Sequence, residues 1–278
     1  MTKPQPGELY ICGTPIGNLQ DCSSRLLTTL QTVDMIAAED TRTAQKLLQK
    51  FNIKKPLISL QKHNEKERLK LLTKYLSNSK SLALISDAGT PNIADPGAYI
   101  IRQLLEQGFQ IIPIPGPSAV TTILSICGIL ADQFCFLGFF PKKNTDAQKL
   151  LVKTSQNQIP CIFFESPKRL LKTLDFLETI PSIKEIFLAK ELTKLHEKYF
   201  FGTITKVKNM LSTASSKGEW CFVLTFQAHK SSSNSTEAII EIQKMLDLGL
   251  NLKQILGLGE KYLKLSKNEI KKIYYTIN

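Results

Sequence analysis

Short apolar runs rich in Ile, Val, Leu and Phe alternate with amphipathic stretches from Leu9 to about Pro115. That alternation is the sequence form of a βαβ sheet with helices on its faces. Strands are expected at Leu9 to Gly13, Met35 to Ala38, Ser81 to Ser86 and Gln110 to Ile114. Between them, Glu65 to Leu76 and Gly97 to Gln107 carry apolar residues at helical spacing, and Gly108 follows as a C-terminal stop. After Pro113 to Ala119 the pattern changes to runs bounded by turns: Phe134 to Phe140, Cys161 to Glu165, Glu185 to Lys190, Tyr199 to Gly202 and Trp220 to Phe226. Helical stretches after Pro167 and Thr203 interrupt these strands, which suits a mixed α+β domain. A serine-rich break, Lys230 to Thr236, precedes a lysine-rich helical tail, Glu237 to Asn278. The expected organisation is therefore an N-terminal α/β domain over 1–117, a C-terminal α+β domain over 118–229 and a small helical tail over 236–278.

Composition narrows the class. None of the apolar runs approaches the ~20 residues needed to cross a bilayer. The opening Met1 to Glu8 has no apolar stretch of the secretory kind, so a cytoplasmic protein is expected. Six cysteines stand at 12, 22, 127, 135, 161 and 221 without a CxxC pair, and Cys12, Cys135, Cys161 and Cys221 fall inside apolar runs, as buried thiols do. His63, His196 and His229 are too scattered to build a metal site, so no metal is expected. The formal charge of +12 points to an anionic partner. That signal is weak by itself, because the cations are nearly all lysine; the arginines are Arg25, Arg42, Arg68, Arg102 and Arg169.

Three loops follow expected strands in the first domain: GTPIGNL (Gly13 to Leu19), SDAGTP (Ser86 to Pro91) and PIPGPSA (Pro113 to Ala119). Open α/β sheets place ligands at such strand ends. Any one of these loops reads equally well as a plain turn, but three together favour a ligand site. The first lacks the GxGxxG of a dinucleotide site, since Pro15 takes the second glycine position, and no GK[ST] closes a phosphate loop. A nucleoside without phosphates fits better, and S-adenosyl-L-methionine is such a ligand. Asp87 would accept from its ribose or amino group or face its cation, and Gly89 would let the backbone come close.

Two clusters at strand ends mix acids and bases: AAEDTR, with Glu39, Asp40 and Arg42, and AKELTK, with Lys190, Glu191 and Lys194. Composition alone favours solvated strand ends with surface ion pairs. In a lysine-dominated chain, however, Arg42 and Arg169 hint at bidentate work on a carboxylate or phosphate.

Taken together, TPIGNL, AAEDTR, LISDAGTP, the DPG of Asp95 to Gly97, PIPGPSA, FFESPKR and ELTKLHE followed by Gly202 and Thr203 resemble the tetrapyrrole methylase superfamily. Within it they resemble the ribosomal RNA small-subunit (cytidine-2'-O)-methyltransferases. The resemblance runs from about Leu9 to Phe226 and is looser over the tail. Where the family commonly has alanine and histidine, this chain has Ser166 and Lys168. The resemblance implies a two-domain tetrapyrrole-methylase-like fold, S-adenosyl-L-methionine in the cleft between the domains, and a homodimer. Cofactor contacts would come from Pro15, Ile16, Asp87, Ala88, Gly89, Thr90, Ser118, Ala119 and Phe164.

Methyl transfer to a ribose hydroxyl needs alignment, a base and a cation for the forming alkoxide. The candidates are Glu39 or Asp40 as base or orienter and Lys190 as cation. Arg42, Arg169 and Lys194 would hold phosphates, with Lys264, Lys267, Lys271 and Lys272 of the tail adding electrostatic grip. The implied partner is small-subunit ribosomal RNA or the assembled small subunit, with neither DNA nor membrane. Two rivals stand beside this reading: a methylase of a small tetrapyrrole, and a non-catalytic RNA-binding ribosome-assembly protein.

Overall fold

The computed structural model describes residues 7–211, 217–227, 235–263 and 265–277. The chain folds as two units, Met1–Phe226 and Gln227–Asn278. The first opens with β1 (Glu8–Cys12), α1 (Ser24–Thr32), β2 (Met35–Ala38), α2 (Thr41–Lys50), β3 (Leu57–Ser59), α3 (Glu65–Ser77), β4 (Leu82–Ile85), α4 (Ala98–Glu106) and β5 (Gln110–Ile114). These five strands form an all-parallel sheet in the order β3-β2-β4-β1-β5. Alternate residues of one strand feed two cores, as strand geometry requires. Ile36 and Ala38 pack with Leu26, Leu30 and Leu48 from α1 and α2, while Met35 and Ala37 pack with Leu72 and Leu76 of α3 and Ile100 and Leu104 of α4. β2 and β4 are buried along their whole length, so they read as continuous apolar runs.

The unit continues through α5 (Ala119–Ile126), β6 (Cys135–Phe139), α6 (Asn144–Ser155), β7 (Cys161–Glu165), α7 (Leu170–Glu178), β8 (Ile183–Lys190), β9 (Lys198–Gly202), α8 (Ile204–Leu211) and β10 (Trp220–Phe226). Its second sheet runs β6-β7-β10-β8-β9, with one parallel pair, β6 and β7, and the rest antiparallel. One face carries Phe163, Leu188 and Phe222 against α6, α7 and α8; the other carries Ile162, Phe187, Ala189 and Val223 against α5. Ile16, from the loop after β1, belongs to that second face, so the loop of the first sheet packs on the second.

The strands therefore lie where the apolar runs put them, and the fold class is the expected one. Gly108 ends the turn after α4 with φ +82°, a conformation that costs glycine nothing. The elements missing from the sequence reading are α1, α2, α5, α6 and the three-residue edge strand β3. All six cysteines are free thiols; Cys12, Cys127, Cys161 and Cys221 are buried, whereas Cys135 is only half-buried.

The second unit consists of α9 (Ser235–Asp247), α10 (Leu252–Leu258) and α11 (Lys267–Ile277) around Ala238, Ile242, Ile255, Leu265 and Ile270. Asn251 and Gln254 cap α10 reciprocally, and Ser266 with Glu269 does the same work for α11. No helix of the described residues is long and apolar enough to cross a membrane.

Candidate active site

The loops GTPIGNL, SDAGTP and PIPGPSA leave β1, β4 and β5, which are neighbours in the first sheet, so the three converge. Backbone hydrogen bonds tie them together: Thr14 donates to the Gly89 carbonyl at 2.8 Å, and Gly89 donates back to Thr14 at 3.1 Å. Gly13 and Gly116 meet backbone to backbone. A β-carbon on Gly116 would lie 2.4 Å from the Gly13 carbonyl oxygen, so neither position tolerates a side chain.

A cavity of about 340 Å³ opens where these loops face the second sheet. Of the expected cofactor residues, Ile16, Ala88, Gly89, Thr90, Ser118, Ala119 and Phe164 line it. Pro15 and Asp87 do not; they line a separate cavity of about 250 Å³ beside α2. The main cavity also takes Asp95, Phe139, Glu165, Leu192, Glu219 and Trp220, which sequence reasoning did not single out. Asp95 lies in the DPG motif, so its signal was present. Glu219 and Trp220 gave none, because only the pairing of Trp220 with Glu165 across β10 and β7 brings them to the site.

Carboxylates gather at the ends of β2 and β4. Burial pushes the Glu39 carboxyl above its usual range, and the charges of Asp95 and Asp87 push it further. Burial likewise raises Asp87 and Asp95. Asp87 accepts the Asp40 backbone N–H at 3.0 Å, which joins the AAEDTR and SDAGTP loops.

Asp40 is different. It is the N-cap of α2, and its carboxylate takes the Arg42 backbone N–H at 2.8 Å and the guanidinium at 3.0 and 2.5 Å. The Arg42 side chain holds it down to about 2. A carboxylate so acidified is a poor proton acceptor at neutral pH, so Asp40 does not suit the base role. Arg42 does its bidentate work on Asp40, within its own turn, although its side chain stays 86% exposed.

Lys190 ends β8 with Nζ 5.5 Å from the centre of the Trp220 ring, and so stands beside a residue that lines the cavity. Lys194 bridges Glu191 at 3.1 Å and Glu219 at 3.0 Å. Glu191 and Thr193 around it hold φ of +54° and +65°, in the left-handed region that residues other than glycine seldom adopt. The loop abuts the first loop: a β-carbon on Gly17 would fall 2.3 Å from Lys194 Cγ.

Arg169 turns inward. Its guanidinium lies 2.6 Å from Glu165, whose side chain is fully buried, and donates to the Phe140 carbonyl at 3.0 Å. Glu165 also accepts from Thr173 Oγ1 and the Ser166 N–H, both at 2.6 Å. The phosphate roles expected of Arg169 and Lys194 thus give way to ion pairs that build the cavity wall. In the tail, Lys267, Lys271 and Lys272 are exposed on α11, and Lys264 lies outside the described residues.

Residues 8–208 match the model of the tetrapyrrole (corrin/porphyrin) methylases. The chain belongs to this family. It is 41% identical over 220 residues to the ribosomal RNA small subunit methyltransferase I of Thermotoga maritima, covering 79% of this chain and 98% of that one. It is 40% identical over 243 residues to the protein of the same name from Haemophilus influenzae, covering 87% and 86%. Among solved structures, a diphthine synthase overlays with a TM-score of 0.63 at 14% identity, over 79% of this chain and 90% of that one. The uroporphyrin-III-C-methyltransferase of Thermus thermophilus overlays with 0.52 at 15% identity, over 78% and 94%. At such identities the two structures speak for the methylase fold alone.

Proposed function

We propose that this family member uses S-adenosyl-L-methionine to methylate the ribose 2'-hydroxyl of a cytidine in small-subunit (16S) ribosomal RNA, as naked RNA or in an assembled subunit. The charge set of the main cavity carries the cofactor reading. Asp95, Glu165 and Glu219 line it with the aromatic rings of Phe139, Phe164 and Trp220, and among the described residues no lysine or arginine does. The charges of Glu165 and Glu219 are matched by Arg169 and Lys194, so Asp95 is the group that disfavours a phosphate-bearing nucleotide. An adenosine with a cationic sulfur meets the Asp95 carboxylate and ring faces, which suit it. The close approach of Gly13 and Gly116 holds together the loops that bring Ile16 and Ser118 to the cavity. When bound, the cofactor supplies a methyl group on a positively charged sulfur and needs little further activation.

Ile16, Ala88 to Thr90, Ser118, Ala119 and Phe164 would hold it, with Asp95 as an added contact. Asp87, next to Ala88, would act from the neighbouring cavity, as would Pro15. Glu39 takes the base role: its raised carboxyl gives it more affinity for the hydroxyl proton than Asp40 has. Lys190 supplies the cation that steadies the developing alkoxide.

Relatives at about 40% identity carry a ribosomal RNA name, whereas the neighbour named for uroporphyrin is only 15% identical; this favours RNA over a tetrapyrrole. A cavity with this chemistry disfavours the non-catalytic alternative. Arg42 and the α11 lysines, with Lys264, would meet phosphates. The domain division is 1–117 and 118–229, with the tail over 236–278. The proposed assembly is a homodimer, supported by Tyr199 and Phe201 on edge strand β9, each 45% exposed, and by Leu195, 93% exposed. The proposed place of action is the cytoplasm, with no DNA or membrane partner.

Labelled methyl donor, offered together with unmodified small subunits and with a tetrapyrrole, tests the acceptor class. Label in the RNA supports the proposal; label in the tetrapyrrole alone, or cofactor binding without any transfer, refutes it.

A further inference from the structure

Asp95 lies on the loop between β4 and α4 and lines the main cavity. On that loop Asn92 and Ala94 hold φ of +71° and +70°, a conformation that persists only where neighbours hold it. The holding contacts come from the short segment after β3. Lys62 Nζ donates to the Ala94 carbonyl at 3.4 Å, and Glu65, the first residue of α3, accepts the Gly97 N–H at 2.7 Å. Asp95 is thus gripped one residue before and two residues after.

Gly97 is the N-cap of α4 and brings no side chain of its own, so Glu65 serves α4 from a neighbouring helix as the glutamate of a capping box serves its own. Between Asp95 and the gripped N–H stands Pro96, whose ring fixes one dihedral and confines Asp95 before it to extended backbone. Few soft torsions therefore separate the Glu65 carboxylate from the place of Asp95. The same segment reaches the proposed base. Gln61 Nε2 and Ser59 Oγ donate to the Glu39 carbonyl at 3.3 and 3.4 Å, and the Gln61 N–H is held by Asn64 Oδ1 at 2.9 Å. Residues 59–65 join the loops of Glu39 and Asp95, and none of them lines the main cavity.

We infer that Glu65 is a positioning residue for the methyl donor: through the Gly97 N–H it sets Asp95 against a cofactor that Glu65 itself never touches. The inference rests on the S-adenosyl-L-methionine reading of the main cavity. Asp95 supplies the charge that faces the cationic sulfur, and Glu65 decides where that charge stands.

Calorimetry with S-adenosyl-L-methionine on the full chain tests this, with Glu65→Ala, Glu65→Gln, Asp95→Ala and the double variant Glu65→Ala/Asp95→Ala beside wild type. Glu65→Ala is expected to bind the cofactor about tenfold more weakly, on the scale of one hydrogen bond to a charged group. Glu65→Gln keeps an accepting oxygen in place and is expected to bind within about threefold of wild type. Asp95→Ala removes the group that Glu65 positions, so adding Glu65→Ala to it should weaken binding by less than about twofold more. A merely structural Glu65 would weaken binding by the same factor in both backgrounds. That result overturns the inference, as does wild-type affinity in Glu65→Ala. Should Glu65→Ala not fold, Glu65→Asp takes its place under the same two criteria, since it keeps a charge in the first turn of α3 but is one methylene short of the Gly97 N–H. Failure of the cofactor reading looks different: wild type itself would bind no S-adenosyl-L-methionine, and the inference would fall with it.

Discussion

Gly13 and Gly116 approach so closely that a β-carbon on Gly13 would stand 2.8 Å from the Gly116 α-carbon. Two loops that must hold a ligand by their backbones have no room for side chains where they cross. Alanine at Gly116 forces the loops apart, at a cost of about 1–3 kcal/mol typical of overpacking. Calorimetry on Gly116→Ala is expected to show cofactor affinity reduced tenfold or more, and thermal unfolding a lower midpoint.

The buried pair Glu165 and Arg169 makes a second prediction. Arg169→Ala leaves a carboxylate with no exposure and no counter-ion, which costs about 3 kcal/mol or more. Denaturant unfolding checks this. Arg169→Ala should lose far more stability than Lys172→Ala, the neighbouring lysine on α7, whereas a phosphate-binding arginine would lose RNA affinity with little change in stability.

How much of this was legible in sequence depends on how far apart the partners lie. The strands were legible because β2 and β4, like β7 and β10 of the second sheet, are nearly unbroken apolar runs bounded by turns. β3 escaped because three residues after Pro56 show no period. α2 escaped because Ala44, Leu47 and Leu48 are its only apolar residues, and that omission misdirected the chemistry. An aspartate before Thr41 and Arg42 is an N-cap signature, yet without the helix Asp40 looked like a reactive carboxylate. The Glu165–Arg169 pair, at i and i+4, was within reach of sequence; the meeting of Glu219 and Trp220 with the cavity was not, since only sheet register makes it.

The carboxylates predict opposite pH responses. Asp95 is raised by burial, so ionising it works against folding; that penalty is absent below its ordinary value of 3.8 and grows as pH rises through the raised value. Asp95→Asn is therefore expected to raise the unfolding midpoint at pH 8 and to leave it nearly unchanged at pH 3. Asp40, held down to about 2, contributes stability that is present above 3.8 and is lost as pH falls toward 2. Asp40→Asn should lower the midpoint at pH 7 and converge with wild type at the acid end.

Glu39 as base shapes the rate profile. The methylation rate should fall with decreasing pH along a limb lying above the ordinary glutamate value of 4.5, because burial and the charges of Asp95 and Asp87 raise its carboxyl. Glu39→Gln should slow turnover about 100-fold or more and flatten that limb while cofactor affinity holds. A retained limb in Glu39→Gln would move the base elsewhere.

The exposed lysines of α11 predict a salt effect. Replacing Lys267, Lys271 and Lys272 together by alanine should weaken RNA binding and reduce the slope of log affinity against log salt by about 2, near 0.7 for each contact to single-stranded RNA. Filter binding over a range of salt concentrations checks both; an unchanged slope would free the tail from that role.

Mapping the methyl group tests the central claim most directly. Small subunits from cells lacking the enzyme are treated with the purified chain and S-adenosyl-L-methionine, and the ribosomal RNA is digested for nucleoside mass spectrometry. One new cytidine methylated on its 2'-oxygen is the predicted result. A methyl group on a base, or RNA left unmodified by a protein that binds the cofactor, would contradict it.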